Sequence, residues 1–136
     1  MSSHKHSAFS PVAKIYIDAL EECIDACQKY GDFCVDPKSI ENAQISKQAL
    51  EACHATIKAS ENCIRECSNH LQSCDDAGCI QECNDVISAA NKCIKVCGEC
   101  IRYSAADTTE CLDVTTRCVE ACDECVEICN RHMSRA

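Results

Sequence analysis

The chain has 3 glycines, 2 prolines and only four leucines among its 136 residues. So little glycine and proline excludes the small secreted disulfide scaffold, a loop-rich class that uses both freely. The shortage of leucine implies a thin core. One domain of this length can bury a core, but cysteine and alanine supply more than half of the 46% apolar fraction. Basic residues are also in deficit, 13 Lys and Arg against 22 Asp and Glu for a net charge of −9. Without a basic patch to release counterions, neither nucleic acid nor an anionic membrane is an expected partner. No apolar run approaches the ~18–20 residues of a membrane span, and the opening MSSHKHSAFSPVAK has no apolar targeting segment. A cytoplasmic protein is the simplest expectation.

What the chain has in abundance is cysteine, 17 residues recurring almost only at intervals of 3, 4, 7 or 10. They fall into four sets: Cys23, Cys27 and Cys34; Cys53, Cys63, Cys67 and Cys74; Cys79, Cys83, Cys93, Cys97 and Cys100; Cys111, Cys118, Cys122, Cys125 and Cys129. At ~100° per residue each set occupies one stripe on a helix. The block Cys-Ile/Val-x-x-Cys appears at Cys23, Cys63, Cys79, Cys93 and Cys118, and C-x9-C-x3-C appears twice, from Cys53 and from Cys83. The Ile or Val after each cysteine belongs about 100° round the helix, in the helix–helix seams. Asp25, Arg65, Glu66, Lys95 and Glu120 belong on the solvent side.

Punctuation divides the chain into four helices. A flexible tail over 1–9 precedes Ser10-Pro11, which reads as an N-cap followed by a first-turn proline; that helix runs toward Cys34 and ends at Asp36-Pro37. The second is predicted from about Ser39 to Cys74, with Asp75, Asp76 and Gly78 as the break, and the third from about Cys79 to Tyr103. Asp107 and Glu110 make a capping-box-like start for the fourth, which ends near His132. The fold expected is all-α, a single domain over 10–136 built as an antiparallel up-down-up-down four-helix bundle with thiols toward its axis. In the cysteine-free first half of helix one and the start of helix two, Ile15, Ala19, Ile45 and Ala49 are expected to fill the core.

Thiols in such stripes suit metal better than disulfides. Cysteines at i and i+4 have Cβ atoms ~5–6 Å apart, whereas a disulfide requires ~3.5–4.5 Å. Bonds between helices remain open, since Cys53/Cys63 with Cys83/Cys93 resembles the twin C-x9-C hairpins of mitochondrial intermembrane-space proteins. That scheme uses four thiols and leaves thirteen. Soft thiolates select Cu(I), zinc or iron–sulfur clusters. An i,i+4 pair can hold Cu(I) in line, and one Cu(I) per bridging thiolate leaves a buried column neutral, whereas a zinc tetrathiolate retains two negative charges. The expected cofactor is therefore Cu(I), on the order of seventeen ions per chain.

These repeated C-x3-C pairs on four helices, with the added thiols of Cys97/Cys100 and Cys122/Cys125/Cys129, resemble the bacterial copper storage proteins, in particular the cytosolic type. The resemblance covers about residues 10–133. It implies a bundle whose cysteines, all seventeen here, fill with Cu(I), and a homotetramer. It implies storage or detoxification of copper, with a copper chaperone as a partner for delivery. His70, three residues after Cys67, continues a thiol stripe, and His132 and Met133 prolong that of Cys125 and Cys129; being weaker Cu(I) ligands, they suit transfer at one mouth of the bundle. His54 lies off the stripe, and Ser2-Ser3-His4 offers a possible Cu(II) chelate should Met1 be removed. No enzyme is expected, because no Asp or Asn is placed to orient a Cys–His pair. A zinc or cadmium thiolate buffer, an iron–sulfur carrier and a disulfide-bonded hairpin scaffold are the alternatives.

Overall fold

The computed structural model describes the backbone of residues 3–35, 42–103 and 108–134; within these, the side chains of 3–12, 33–35, 42–44, 46, 103, 108–111 and 132–134 fall outside the description. The described residues form four helices: α1 Ser3–Val35, α2 Asn42–Ser73, α3 Ala77–Tyr103 and α4 Thr108–Ser134. Each packs on its neighbours in sequence and α1 also packs on α4, so the helix backbones close a ring in which the two diagonal pairs meet through side chains at the axis. Contacts reveal antiparallel register at three seams: Tyr16 meets Ser60 and Cys27 meets Cys53, His70 meets Cys79, and Lys92 meets Glu124 while Glu99 meets Arg117. On the fourth, Tyr16 meets Cys125 and Cys23 meets Cys118. This is the up-down-up-down bundle that the four stripes call for.

The helix ends differ from expectation at one place. α1 opens at Ser3 instead of Ser10, so Pro11 lies inside a helix. Nothing between Lys5 and Phe9 breaks a helix, and proline's fixed φ is compatible with one. Its cost is the N–H missing from the turn, one hydrogen bond to the carbonyl four residues earlier. Ser39 and Asp107, expected at the starts of α2 and α4, lie outside the described residues.

The break before α3 follows the sequence closely. Asp76 is its N-cap: the carboxylate accepts from the N–H groups of Gly78 at 3.0 Å and Cys79 at 3.4 Å, while its carbonyl accepts the first helical bond, from Ile80 at 2.9 Å. Two of the orphan donors of this terminus are thereby satisfied. Asp76→Ala is expected to cost about 1 kcal/mol in chemical denaturation, and Asp76→Asn much less, since an amide oxygen caps comparably.

Packing follows the stripes. Ile24, Ile64 and Val119 lie half-buried against the core and Ile80 and Ile94 are half-buried, while Asp25, Arg65, Glu66, Lys95 and Glu120 are exposed. The first half of α1 corrects the expected core. Ile15 is 66% exposed and Ala19 only half-buried; Ala13, Tyr16, Ile17 and Leu20 fill the interior instead. Tyr16 stands seven residues before Cys23, on the same stripe, whereas Ile15 falls about 120° from Cys27. On α2, Ala49 is buried and Ile45 half-buried, both packed with Tyr30.

Candidate metal centre

Fifteen of the cysteine side chains are described, all of them free thiols; fourteen are buried and Cys74 is half-buried. Those of Cys34 and Cys111 lie outside the described residues, as do those of His4, His132 and Met133. The neighbouring sulfurs stand 3.5–4.0 Å apart, in van der Waals contact and well beyond the ~2.05 Å of a disulfide. The amphipathic pattern has thus done with sulfur what leucine does in an ordinary bundle: one thiol stripe per helix, turned inward.

Among the described residues, three groups bring ligand atoms within 4.8 Å of one another: Cys23, Cys53, Cys97 and Cys118; Cys27, Cys53 and Cys100; and His70, Cys79 and Cys83. The first takes one thiol from every helix. The third lies at the opposite end of the bundle, where the imidazole Nε2 of half-buried His70 is 3.1 Å from Cys79 Sγ. His70 therefore continues the thiol stripe as its spacing suggests. The partner it meets is the start of α3, the neighbour of α2 in the ring. His54 is exposed, off the stripe.

Between the two ends the sulfur thins to a waist. At this level α1 contributes Tyr16 and Leu20, α2 contributes Thr56 and Ser60, and α3 contributes Val86 and Ala90, all buried. The nine-residue gaps in C-x9-C on α2 and α3 fall here, so each gap corresponds to a section of core built without thiols. Only α4 carries its stripe through, from Cys118 and Cys122 to Cys125 and Cys129, with Cys93 of α3 interacting with both Cys122 and Cys125. Beyond the waist Cys129 lies near Cys63 and Cys67, Cys67 interacts with Cys83, and Cys79 interacts with Cys83 and Cys74. Thiols thus follow one another from one group to the other.

Tyr16 holds the waist together. Its hydroxyl is 2.7 Å from Ser60 Oγ and accepts from the Cys125 thiol at 3.3 Å, while Thr56 donates to the Ala19 carbonyl at 3.4 Å. These buried polar groups had no place in the sequence reading. The signal was present, since Tyr16 and Ser60 each lie seven residues from a cysteine of their own stripe.

Crowding shifts the thiols in both directions. Cys67 is pushed up to about 12, chiefly because Cys63 hydrogen-bonds to it, and Cys79 to about 12, chiefly by burial. Cys83, Cys93 and Cys129 are raised too, and burial raises Tyr16. Cys125 runs the other way, lowered to about 4 by hydrogen bonds from Cys129 and Cys93. Most of the metal-free column is therefore neutral S–H, as a buried interior requires. An acid with a raised pKa in the folded state contributes stability that is intact below its unfolded pKa and lost as pH rises toward the folded value. Thermal melts of the metal-free protein should accordingly show the melting temperature falling as pH climbs from about 9 toward about 12, through Cys67 and Cys79. Protein whose thiol protons have been replaced by metal should show a weaker slope.

No family model matches this chain, and no solved structure matches it. It is similar to the major surface-labeled trophozoite antigen 417 of Giardia intestinalis, 26% identical over 101 residues, which covers 71% of this chain and 11% of that protein. The chain thus spans about a tenth of that relative's length. With identity this low, the similarity assigns neither family nor activity. What stands is a cysteine-rich four-helix bundle whose clustered thiols are arranged as ligands for several metal ions. No helix among the described residues is long and apolar enough to cross a membrane.

Proposed function

We propose that this protein stores or detoxifies copper in the cytoplasm, binding Cu(I) through the thiolates of its core at about one ion per cysteine. The observation that carries the reading is the buried sulfur column, fourteen thiols enclosed by the bundle with no lysine or arginine among the buried residues described. Such an interior can take up many cations only if they arrive with thiol deprotonation and leave it near neutrality, and a monovalent soft ion shared between bridging thiolates does so. Spacing supports it. With metal–sulfur bonds of ~2.3 Å, two sulfurs in line lie about 4.6 Å apart and three around one ion about 4 Å. Contacts of 3.8 Å for Cys27–Cys53 and 3.9 Å for Cys23–Cys27 suit three-coordinate or bridged copper as they stand, and in-line copper after small rotamer changes.

His70, with His132 and Met133, serves entry and exit at one end, where weaker ligands exchange ions with a copper chaperone. Assembly as a homotetramer and kinship with the bacterial copper storage proteins belong to the same proposal, as does the absence of an enzymatic role. Anaerobic titration of the reduced protein with Cu(I) against a competing chelator tests it: uptake far beyond four ions per chain is expected, and saturation at four or fewer would contradict it.

A further inference from the structure

We propose that the core contains one distinct site for a divalent tetrahedral ion, zinc or cadmium, formed by Cys23, Cys53, Cys97 and Cys118. This inference does not depend on the copper reading. Four sulfurs arranged tetrahedrally at ~2.3 Å from one ion lie about 3.8 Å from each other. The separations here are 4.0 Å for Cys23–Cys53, 3.9 Å for Cys23–Cys118 and 3.5 Å for Cys97–Cys118, with all four sulfurs within 4.8 Å. Three of the six separations are thus close to those of the bound state and the other three within 4.8 Å, from four fully buried side chains whose backbones are fixed by four different helices.

Cys27 also stands 3.8–3.9 Å from Cys23, Cys53 and Cys118, but a group built with it takes two ligands from α1; among the described residues, Cys23, Cys53, Cys97 and Cys118 form the one cluster within 4.8 Å that takes a thiol from every helix. Cys27, Cys53 and Cys100 offer three sulfurs, and the group at the His70 end offers one imidazole and two sulfurs. Sequence spacing alone favours C-x2-C pairs such as Cys97/Cys100 and Cys122/Cys125 as zinc ligands, yet the tetrad takes one member of the first pair and none of the second. Each ligand comes from a separate turn of a separate helix, a pattern with no local motif.

Binding replaces up to four thiol protons by one M²⁺ and leaves two negative charges in the core. Filling the column with such units would accumulate that charge, whereas a single unit has an adjacent hydrogen-bond donor: Cys27 donates its S–H toward Cys118 across 3.9 Å and also touches Cys23 and Cys53 at 3.9 and 3.8 Å. The chemistry expected is one tight divalent ion, clamping all four helices at one level.

The test is the first equivalent of ¹¹³Cd(II) added to the reduced, copper-free protein. A single cadmium resonance in the four-sulfur range is expected, with scalar couplings to the Hβ protons of Cys23, Cys53, Cys97 and Cys118. Cys118→Ser should lose that resonance, while Cys129→Ser, on the other side of the waist, should keep it. Couplings to Cys27, Cys100 or His70 in place of the tetrad, several resonances at one equivalent, or no bound cadmium would overturn the assignment. The coupling pattern is read on the unaltered protein, so a poorly folding variant does not affect it. Copper uptake is measured separately, so failure of either proposal leaves the other to stand on its own result.

Discussion

Loading the reduced protein with Cu(I) is expected to raise its melting temperature by tens of degrees. The metal-free core is made chiefly of cysteine and alanine with a few larger side chains, Tyr16, Leu20 and Val86 among the fully buried. A cysteine buries much less apolar surface than a leucine, so the burial that holds this bundle together is modest for its length. An ion that binds only the folded state adds RT ln(1 + [L]/Kd), ~4 kcal/mol per site at a thousandfold excess over Kd. One such site moves the midpoint by roughly 10 °C or more in a chain of this size. With several sites, each joining sulfurs from different helices, the loaded bundle should outlast an ordinary thermal scan. Circular dichroism melts under anaerobic conditions at zero, partial and full loading measure this directly. Coincident melts would mean that metal does not bind across helices in the core.

Tyr16→Ala should be among the most damaging substitutions in the metal-free protein. Tyr16 is 1% exposed, and its ring fills the waist where the thiols thin out. Truncation leaves a cavity and leaves Ser60 and the Cys125 thiol without their shared partner. Large aromatic-to-alanine changes in cores cost about 3–5 kcal/mol, enough to unfold a weakly stabilised bundle. Tyr16→Phe separates the two contributions. It keeps the ring and removes the hydroxyl, so its cost should be about 1–2 kcal/mol. Urea denaturation of both variants at equal helicity is the appropriate measurement. A similar cost for Phe and Ala would show that the hydroxyl node matters more than the packing.

The architecture was largely legible because cysteine and isoleucine obey the helical period and because Asp76 and Gly78 mark the break before α3. The inward direction of the stripes and the outward direction of Asp25 or Glu120 followed from the same ~100° step. Two things were not legible. Helix one was expected to open at Ser10-Pro11, since a first-turn proline and an interior proline present the same dipeptide. The assignment of Ile15 to the core followed hydrophobicity where register governs: the stripe passes through the more polar Tyr16, and the buried hydroxyls of Tyr16, Thr56 and Ser60 find partners only across helices. The tetrad was hidden for a related reason. Spacing reveals which thiols share a helix face, whereas Cys23, Cys53, Cys97 and Cys118 share a level, and level is set by how four helices slide against one another.

The capacity of the core for Cu(I) is the decisive quantity. Anaerobic titration of fully reduced protein, with a strong chromogenic chelator competing for each ion, should leave the chelator copper-free until on the order of seventeen ions per chain have been taken up, about one per cysteine. Appearance of the chelator complex after four ions or fewer would mean that the thiol column is a core and not a store.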